Sequence, residues 1–377
     1  MEHLAGPFYD YAKMHCSPSG TVGYTPQSVA ELAEVLAETD ASHSPLRLRG
    51  HAHSFSGAAL PRPGQATLLT QGLNHFRFES PGTVTVGAGV RIWDLQAYLE
   101  TLGYRLPVYN GGGPGPTVGG FIQVGGIPKL RDSVAGGFWN HVEEITLLDA
   151  RGKSHQLRPD HPHFAWLFGS GGQIGVVAEA KLSILPTGQG DYPQGKVGRI
   201  APTAKPHGLP AEEAPPNHGS YQLFWFSYFT DEAHEATAWE LLQGYVKAHP
   251  RELIPQAGYA GPRHHGEPMG YRHPIPMGKL HAPLVYPKAE DFLLVGFMCP
   301  VRVGRPQDGK FLLQLRAQMY QDARQHGLHL YVQSENMHPL FPHAEYWDHA
   351  TFAHWQALKS HYDPRHRLNG GTVFPLP

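Results

Sequence analysis

Two glycine-rich stretches carry imidazoles, hydroxyls and a guanidinium among their glycines: Arg49-Gly50-His51-Ala52-His53-Ser54-Phe55-Ser56-Gly57 and Pro114-Gly115-Pro116-Thr117-Val118-Gly119-Gly120-Phe121-Ile122. A loop that grips a diphosphate must turn consecutive backbone N–H groups toward one anion, which needs φ values that glycine tolerates and bulky residues do not. The first stretch has that character. In the second, prolines fix φ while glycines let main chain lie against a ligand, with Gly119 and Gly120 the expected points of approach. A third patch, Gly169-Ser170-Gly171-Gly172-Gln173-Ile174-Gly175-Val176-Val177, has a similar composition.

Such loops need rigid mounts. Leu46-Arg47-Leu48 alternates and predicts a short strand feeding the first loop, while the third precedes a strand-like run over 176–185. Ser28 is placed to cap a helix over 29–37, residues 83–90 alternate, and residues 92–99 place Trp93, Leu95, Tyr98 and Leu99 for packing on a sheet. This half reads as α+β. Residues 187–217 are rich in Gly, Pro and polar residues and read as a linker or an irregular excursion. Beyond it lie a strand (221–229), a helix (231–249), a strand (292–298), a helix carrying Phe311, Leu315 and Met319 that stops at Gly327, and a strand (328–332). With one strand unclear, that order fits a split βαβ sandwich. Residues 250–290, dominated by Gly, Pro and His, read as a functional loop at a substrate entrance.

At 377 residues and 41% apolar content, two domains are expected. A net charge of −2 argues against nucleic acid or an anionic membrane as partner, and no leader or long apolar run is evident, so a small-molecule substrate and a cytoplasmic location are expected. Cys16 and Cys299 are too few for a disulfide framework. The 26 histidines are scattered, and pairs such as His161/His163 and His264/His265 lack companion ligands, so no metal is expected. Gly152-Lys153-Ser154 mimics the end of a phosphate loop, but Leu147 stands where its first glycine belongs. The 169–175 patch has neither the spacing nor the preceding buried strand of a dinucleotide fingerprint.

The three patches, with Asn140-His141-Val142-Glu143-Glu144-Ile145 between the last two, together resemble the flavin-binding signature of the vanillyl-alcohol oxidase / p-cresol methylhydroxylase (PCMH) superfamily. Across residues 46–186 they look most like its cytokinin dehydrogenase-like branch. The tail Tyr362-Asp363-Pro364-Arg365-His366-Arg367-Leu368-Asn369-Gly370-Gly371-Thr372-Val373-Phe374 adds a match where that family's chain returns to the flavin domain. The resemblance implies a two-subdomain PCMH-type FAD-binding domain (1–186, completed by 341–377) and a ferredoxin-like α/β substrate cap (187–340). It also implies FAD contacts at Arg49, Gly50, His51, Ala52, His53, Ser54, Pro116, Thr117, Gly119, Gly120, Ile122, Gly126, Gly175, Val176 and Asn369, with the third patch around the adenine half.

In the family's Arg-Gly-x-Gly-His-Ser pattern the histidine bonds covalently to the flavin, and here His53 stands at that place. The chain departs from the pattern at Ala52 and His51, which leaves His51 as a competitor and noncovalent binding open. No cysteine falls between Gly111 and Gly137, so no cysteinyl link is expected, and Pro128-Lys129-Leu130-Arg131-Asp132 replaces the family's small residues. The aspartate of cytokinin dehydrogenases is missing from Asn110-Gly111-Gly112-Gly113-Pro114-Gly115-Pro116, which argues against cytokinin oxidation. A replacement base would come from Glu335, His338, Tyr346 or Asp348, near Asn336, Phe341 and Trp347; the alternative is an ordinary buried aromatic cluster. Gly125 and Gly126 leave little bulk to block molecular oxygen, which leans toward an oxidase. The expected activity is oxidation of a CH–OH or CH–NH group by hydride transfer to flavin N5. The runner-up is oxidation of a 2-hydroxy acid or sugar lactone; the rival of another class is a flavin-free binding or scaffold protein.

Overall fold

A computed structural model describes residues 2–9, 16–51, 53–54, 57–109, 116–127, 136–188, 191–202, 221–253, 270–302, 306–331 and 347–370. The fold is α+β. Its first sheet holds β1 (Glu2–Ala5), β2 (Val22–Thr25), β3 (Leu46–Arg49) and β4 (Ala66–Leu69) in the order β1-β2-β4-β3, with β2 and β3 both parallel to β4. Helix α1 (Val29–Ala41) makes the crossover from β2 to β3. It starts where the sequence predicts, with Ser28 accepting from Glu31 N at 3.1 Å, and buries Leu32, Val35, Leu36 and Thr39 along one stripe.

A second, six-stranded sheet uses β5 (His75–Arg77), β6 (Thr83–Gly87), β8 (Val142–Leu148), β9 (Ser154–Leu157), β10 (Val176–Ser183) and β12 (Val197–Arg199), all neighbours antiparallel, in the order β12-β5-β6-β10-β8-β9. Two-residue strands β7 (Tyr104–Arg105) and β11 (Leu185–Pro186) pair beside it. Helix α2 (Ile92–Glu100) buries Ile92, Leu95 and Leu99, and a short helix α3 (Val118–Gln123) follows. The stretch after residue 186 does more than link: β12 returns to β5 and extends this sheet.

The third sheet is built from β13 (Tyr221–Thr230), β14 (Gly270–Ile275), β15 (Phe292–Arg302) and β16 (His329–Leu330), antiparallel in the order β14-β15-β13-β16. With α4 (Glu235–Ala248) and α5 (Pro306–Gln325), the chain order is β-α-β-β-α-β. Alternation divides the sheet's faces. Phe226, Tyr228, Leu293, Val295 and Phe297 pack with Ala238, Leu242, Leu315 and Met319, whereas Phe229, Ile275, Phe292 and Leu294 join the core of the first two sheets. The last helix, α6 (His349–Tyr362), puts Trp355, Leu358 and Tyr362 into that same large core.

Strand β14 corrects the expectation of an unbroken loop over 250–290. Its Pro274 is tolerated because β14 lies at the sheet edge, where a missing N–H leaves no neighbour unpaired. No helix among the described residues is long and apolar enough to cross a membrane.

Candidate functional site

The first two glycine-rich stretches meet. Strand β3, buried along its length, delivers Arg49 and Gly50 to the sheet edge, where a Cβ on Gly50 would lie 2.6 Å from Thr117 Oγ1 and 3.1 Å from its Cγ2. Thr117 is fixed from its other side: its Oγ1 accepts from Gly120 N at 3.1 Å as the cap of α3. Main-chain bonds from Ile92 N to Pro116 O (2.9 Å), Val118 N to Val90 O (2.8 Å) and Gly119 N to Ala88 O (2.9 Å) pin the start of α3 to the residues after β6. A side chain on residue 50 would push this cap away.

Several predicted contact residues are occupied by the protein itself. A Cβ on Gly119 would come within 2.8 Å of Ala88 Cβ, one on Gly126 within 2.5 Å of Phe138 Cβ, and one on Gly175 within 2.8 Å of Leu148 O. Ile122 and Val176 are core residues at 0% and 1% exposure. These five positions serve close packing of helix, turn and strand, which accounts for their residue types, and their part in holding a cofactor rests on the resemblance alone. Gly120 differs, since among the described residues only Thr117 Oγ1, at 3.1 Å, lies near its missing side chain.

Asn369 is likewise a clasp. It adopts φ 51°, accepts from Leu48 N through Oδ1 (2.7 Å) and donates through Nδ2 to Gly171 O (2.7 Å). Its backbone O accepts from Gln173 Nε2 at 2.9 Å and its N donates to Leu46 O at 2.8 Å. One residue thus ties β3, the third glycine patch and the returning tail together. Gly171 N also donates to Gln123 O at 2.8 Å, and Gln123 Nε2 to Gly175 O at 3.0 Å, which joins α3 to the assembly. Beneath it Lys359, fully buried, donates to Asp363 Oδ2 and Leu368 O at 2.6 Å each. Burial pushes the Lys359 ammonium down to about 8 against the opposing pull of Asp363.

The loop that follows β3 carries the atoms suited to a diphosphate-bearing flavin. Ser54 is 8% exposed and its Oγ, buried, has no hydrogen-bond partner among the described residues. His51 and His53 are half-buried beside it. Arg49 is held back: its guanidinium donates to Tyr9 O at 3.0 Å and lies over the Phe8 ring. The glycine-lined approach at residue 50, the open flank of Gly120 and the unsatisfied Ser54 hydroxyl fit the phosphates and ring edge of FAD. Ala52, Glu335, His338 and Tyr346 lie outside the described residues.

Asp348 is corrected. It is exposed and caps α6, accepting from Thr351 N at 2.9 Å and Thr351 Oγ1 at 2.8 Å, and those contacts hold its carboxyl below the ordinary range. Both oxygens serve the helix, so nothing about it describes a base. Gly125 and Gly126 also differ from expectation: a Cβ on Gly125 would lie 2.7 Å from Val285 Cγ2, so the space beside these glycines is filled rather than open to oxygen. Val285 belongs to the segment after β14, which is buckled to the turn Phe138–His141. Met277 O accepts from Trp139 Nε1 (3.0 Å) and Asn140 Nδ2 (2.8 Å), and Asn140 Oδ1 accepts from Lys279 N (3.0 Å). Among the described residues no cluster of three or more His, Cys, Asp or Glu is arranged to hold a metal; His161 and His163 stack edge-on at 4.8 Å beside His361 and Tyr362.

Two polar residues escaped the sequence reading. His273 on β14 is 4% exposed, with Nε2 unpartnered among the described residues, and burial pushes its imidazole down to about 4. Tyr286 is fully buried with its hydroxyl in the same condition, and burial drives it up to about 12. The alternation Tyr271, His273, Ile275 was the available signal, masked by the surrounding Gly, Pro and His.

Residues 22–158 match the family model of an FAD binding domain. The chain is 29% identical over 187 residues to "FAD-linked oxidoreductase easE" of Claviceps purpurea (strain 20.1), covering 45% of this chain and 38% of that protein. It is 36% identical over 109 residues to the protein of the same name in Trichophyton verrucosum (strain HKI 0517), covering 27% of this chain and 17% of that one. The aligned parts therefore span well under half the length of these curated relatives.

Proposed function

Because this chain belongs to the FAD-linked oxidoreductase superfamily, with its FAD-binding domain at residues 22–158, we propose that it oxidises a CH–OH or CH–NH carbon of a small organic substrate. The observation that carries this reading is the meeting of Gly50 with Thr117, which sets two loops capable of presenting main-chain amides side by side. The 49–54 loop, Thr117 and Gly120 would hold FAD, with Ser54 Oγ as a hydrogen-bonding group and His53 as the residue of covalent attachment; His51 is the competitor. When bound, FAD supplies the two-electron acceptor, taking hydride from the substrate carbon at N5.

The chain's own part is positioning. Asn369 fixes the loop bases, and the β-α-β-β-α-β unit serves as a ferredoxin-like substrate cap over residues 187–340, a role supported by its apolar face joining the large core. The FAD domain proper is completed by the tail, in line with the burial of Trp355 and Leu368 in that core. Kinship with the cytokinin dehydrogenase-like branch rests on motif order alone. Glu335, His338 and Tyr346 are the candidates for a base that takes the heteroatom proton.

Purified protein tests this directly. It should absorb near 450 nm, and the chromophore should stay with acid-precipitated polypeptide, be released by His53→Ala and be retained by His51→Ala. Retention in His53→Ala with release in His51→Ala moves the attachment to His51. Colourless protein that takes up no added FAD supports the flavin-free rival instead. Peroxide formed during a substrate screen would identify oxygen as electron acceptor; its absence alongside dye reduction would identify a dehydrogenase.

A further inference from the structure

Where the last turn of α6 meets the loop after β9, histidines from three elements gather around one phenol. His161 and His163 come from that loop, His155 from β9, and His354 and His361 from α6; the first three are half-buried and the last two exposed. His163 lies edge-on to His161 at 4.8 Å and to His361 at 5.8 Å, and its Nδ1 is 2.9 Å from the hydroxyl of buried Tyr362. His155 lies edge-on to the same phenol at 5.1 Å, and His354 packs on Trp166 at 4.2 Å. Charged groups on the same elements are Asp149, 3.4 Å from His155 Nε2 and bonded to Arg151, Arg158 paired with Glu144 at 2.7 Å, and Lys359 paired with Asp363. Lys153 and Asp160 are exposed.

One bond in the cluster fixes a protonation state. The backbone N–H of His163 can only donate, and it donates to His161 Nδ1 at 3.1 Å, so that nitrogen carries no proton while the loop holds this shape. Adding a proton there leaves two donors facing each other. His163 resists protonation for a second reason: burial, and the positive charge that His161, His361, His354 and His155 would carry, push its imidazole down from the ordinary histidine value.

Both partners in this contact lead toward the candidate site. From His163 the chain runs through buried Phe164 and Leu167 to Ser170, whose Oγ donates to Leu167 O at 2.9 Å, and so to Gly171. From Tyr362, whose O accepts from Ala150 N at 2.9 Å, it runs to Asn369. Asn369 Nδ2 then donates to Gly171 O at 2.7 Å, which places the histidines at the root of both arms of that clasp.

We propose that His155, His161, His163, His354 and His361 form a pH-sensitive latch, which docks the 158–164 loop on α6 when neutral and releases both arms of the Asn369 clasp when protonated. The proposal does not depend on the flavin reading. Because the released loop binds protons better, the latch is at full strength above the ordinary histidine midpoint of about 6.5 and weakens as pH falls below it. With His161 barred from protonation when docked and titrating near 6.5 when released, the released population rises about tenfold between pH 7.5 and pH 5.5, and His163 adds to this.

Hydrogen exchange of the full chain, read peptide by peptide at pH 7.5 and pH 5.5 and corrected for the intrinsic rate, measures release. Protection over 158–171 and over 362–370 should fall about tenfold or more, while protection over 221–230 on β13 should stay within about threefold. His161→Asn keeps an oxygen that can accept the same N–H, as in an ordinary Asx turn, and has no titrating ring, so the fall should shrink. The double variant His161→Asn/His163→Asn should hold its protection within about twofold across the same range. Unchanged protection at pH 5.5 in either segment of the unaltered protein, an equal fall over 221–230, or a double variant that falls as far as the parent overturns the latch. Should the double variant fail to fold, the segment pattern of the unaltered protein and the His161→Asn value decide.

Discussion

Replacing Asn369 by alanine removes two side-chain hydrogen bonds at once and leaves Leu48 N and Gly171 O without them in a site only 5% exposed. Each stranded backbone group costs about 1–3 kcal/mol. Alanine at φ 51° adds about 1 kcal/mol, since a Cβ disfavours the left-handed region that asparagine tolerates. The expected loss for Asn369→Ala is therefore about 3–7 kcal/mol. Asn369→Gly loses the same bonds without the strain and should be about 1 kcal/mol milder. Asn369→Asp keeps an acceptor for Leu48 N but turns an oxygen toward Gly171 O, so it should fall near alanine. Urea unfolding followed by tryptophan fluorescence measures all three, and FAD titration of the folded variants measures the effect on the loop. Because the amide is spent within the chain, FAD affinity should fall only as the 49–54 loop loses its mount, in step with stability. An alanine variant within about 1 kcal/mol of the parent, or one of full stability that has lost FAD, refutes the clasp and returns Asn369 to direct contact.

Gly50→Ala drives a methyl group against Thr117 Oγ1 and should lower FAD affinity about tenfold, a loss of about 1.4 kcal/mol, with a smaller change in unfolding free energy; flavin titration beside a urea melt separates the two. At Glu179, burial opposes ionisation, but hydrogen bonds from His75 and Arg77 and the charge of Arg77 outweigh it and hold the carboxyl at about 2. A carboxylate with its folded pKa below the unfolded value stabilises above the unfolded pKa and loses that contribution as pH falls from about 4.5 toward 2, worth about 3 kcal/mol at pH 7. Glu179→Gln should therefore destabilise at pH 7 and converge on the parent near pH 2, as read by thermal melts across that range. Asp348→Ala should cost about 1 kcal/mol through the lost cap and Asp348→Asn almost nothing. Both should reduce flavin, with any substrate that the unaltered protein oxidises in the screen, within twofold of the parent rate, and loss of turnover at unchanged stability would restore Asp348 as a base.

Much of the fold was legible because its signals are local. Ser28 and the apolar stripe of Leu32, Val35 and Leu36 fix a helix start by hydrogen bonding and period alone. The same holds for β13, whose Tyr221-Gln222-Leu223-Phe224-Trp225-Phe226 run has no other comfortable conformation. Strand β14 was hidden because Gly270, Pro274 and the preceding histidines carry a loop's composition, and only its place at a sheet edge makes that composition compatible with pairing. β12 was hidden for a similar reason: three residues, Val197–Arg199, become a strand only when Phe76 offers them an edge.

The site shows a deeper limit on what glycine can signal. Gly50, Gly119, Gly126 and Gly175 all stand where a side chain would collide, and sequence reasoning treats each collision as evidence for a ligand. At Gly119 the colliding atom is Ala88 Cβ, at Gly126 it is Phe138 Cβ, and at Gly175 it is a carbonyl of β8, so the chain's own close packing demands the glycine. At Gly50 the colliding atom is the hydroxyl of a residue from the second predicted loop, and the neighbouring Ser54 hydroxyl is buried without a partner among the described residues. That conjunction, close approach of two loops together with unsatisfied polarity, is what the proposed FAD site rests on. Unsatisfied polarity also marks His273 and Tyr286, which no glycine pattern marks, and passes over Asn369, whose amide already serves β3 and the third patch. Unspent hydrogen-bonding capacity in a desolvated place depends on partners that are distant in sequence and adjacent only after folding, which is why the sequence does not display it.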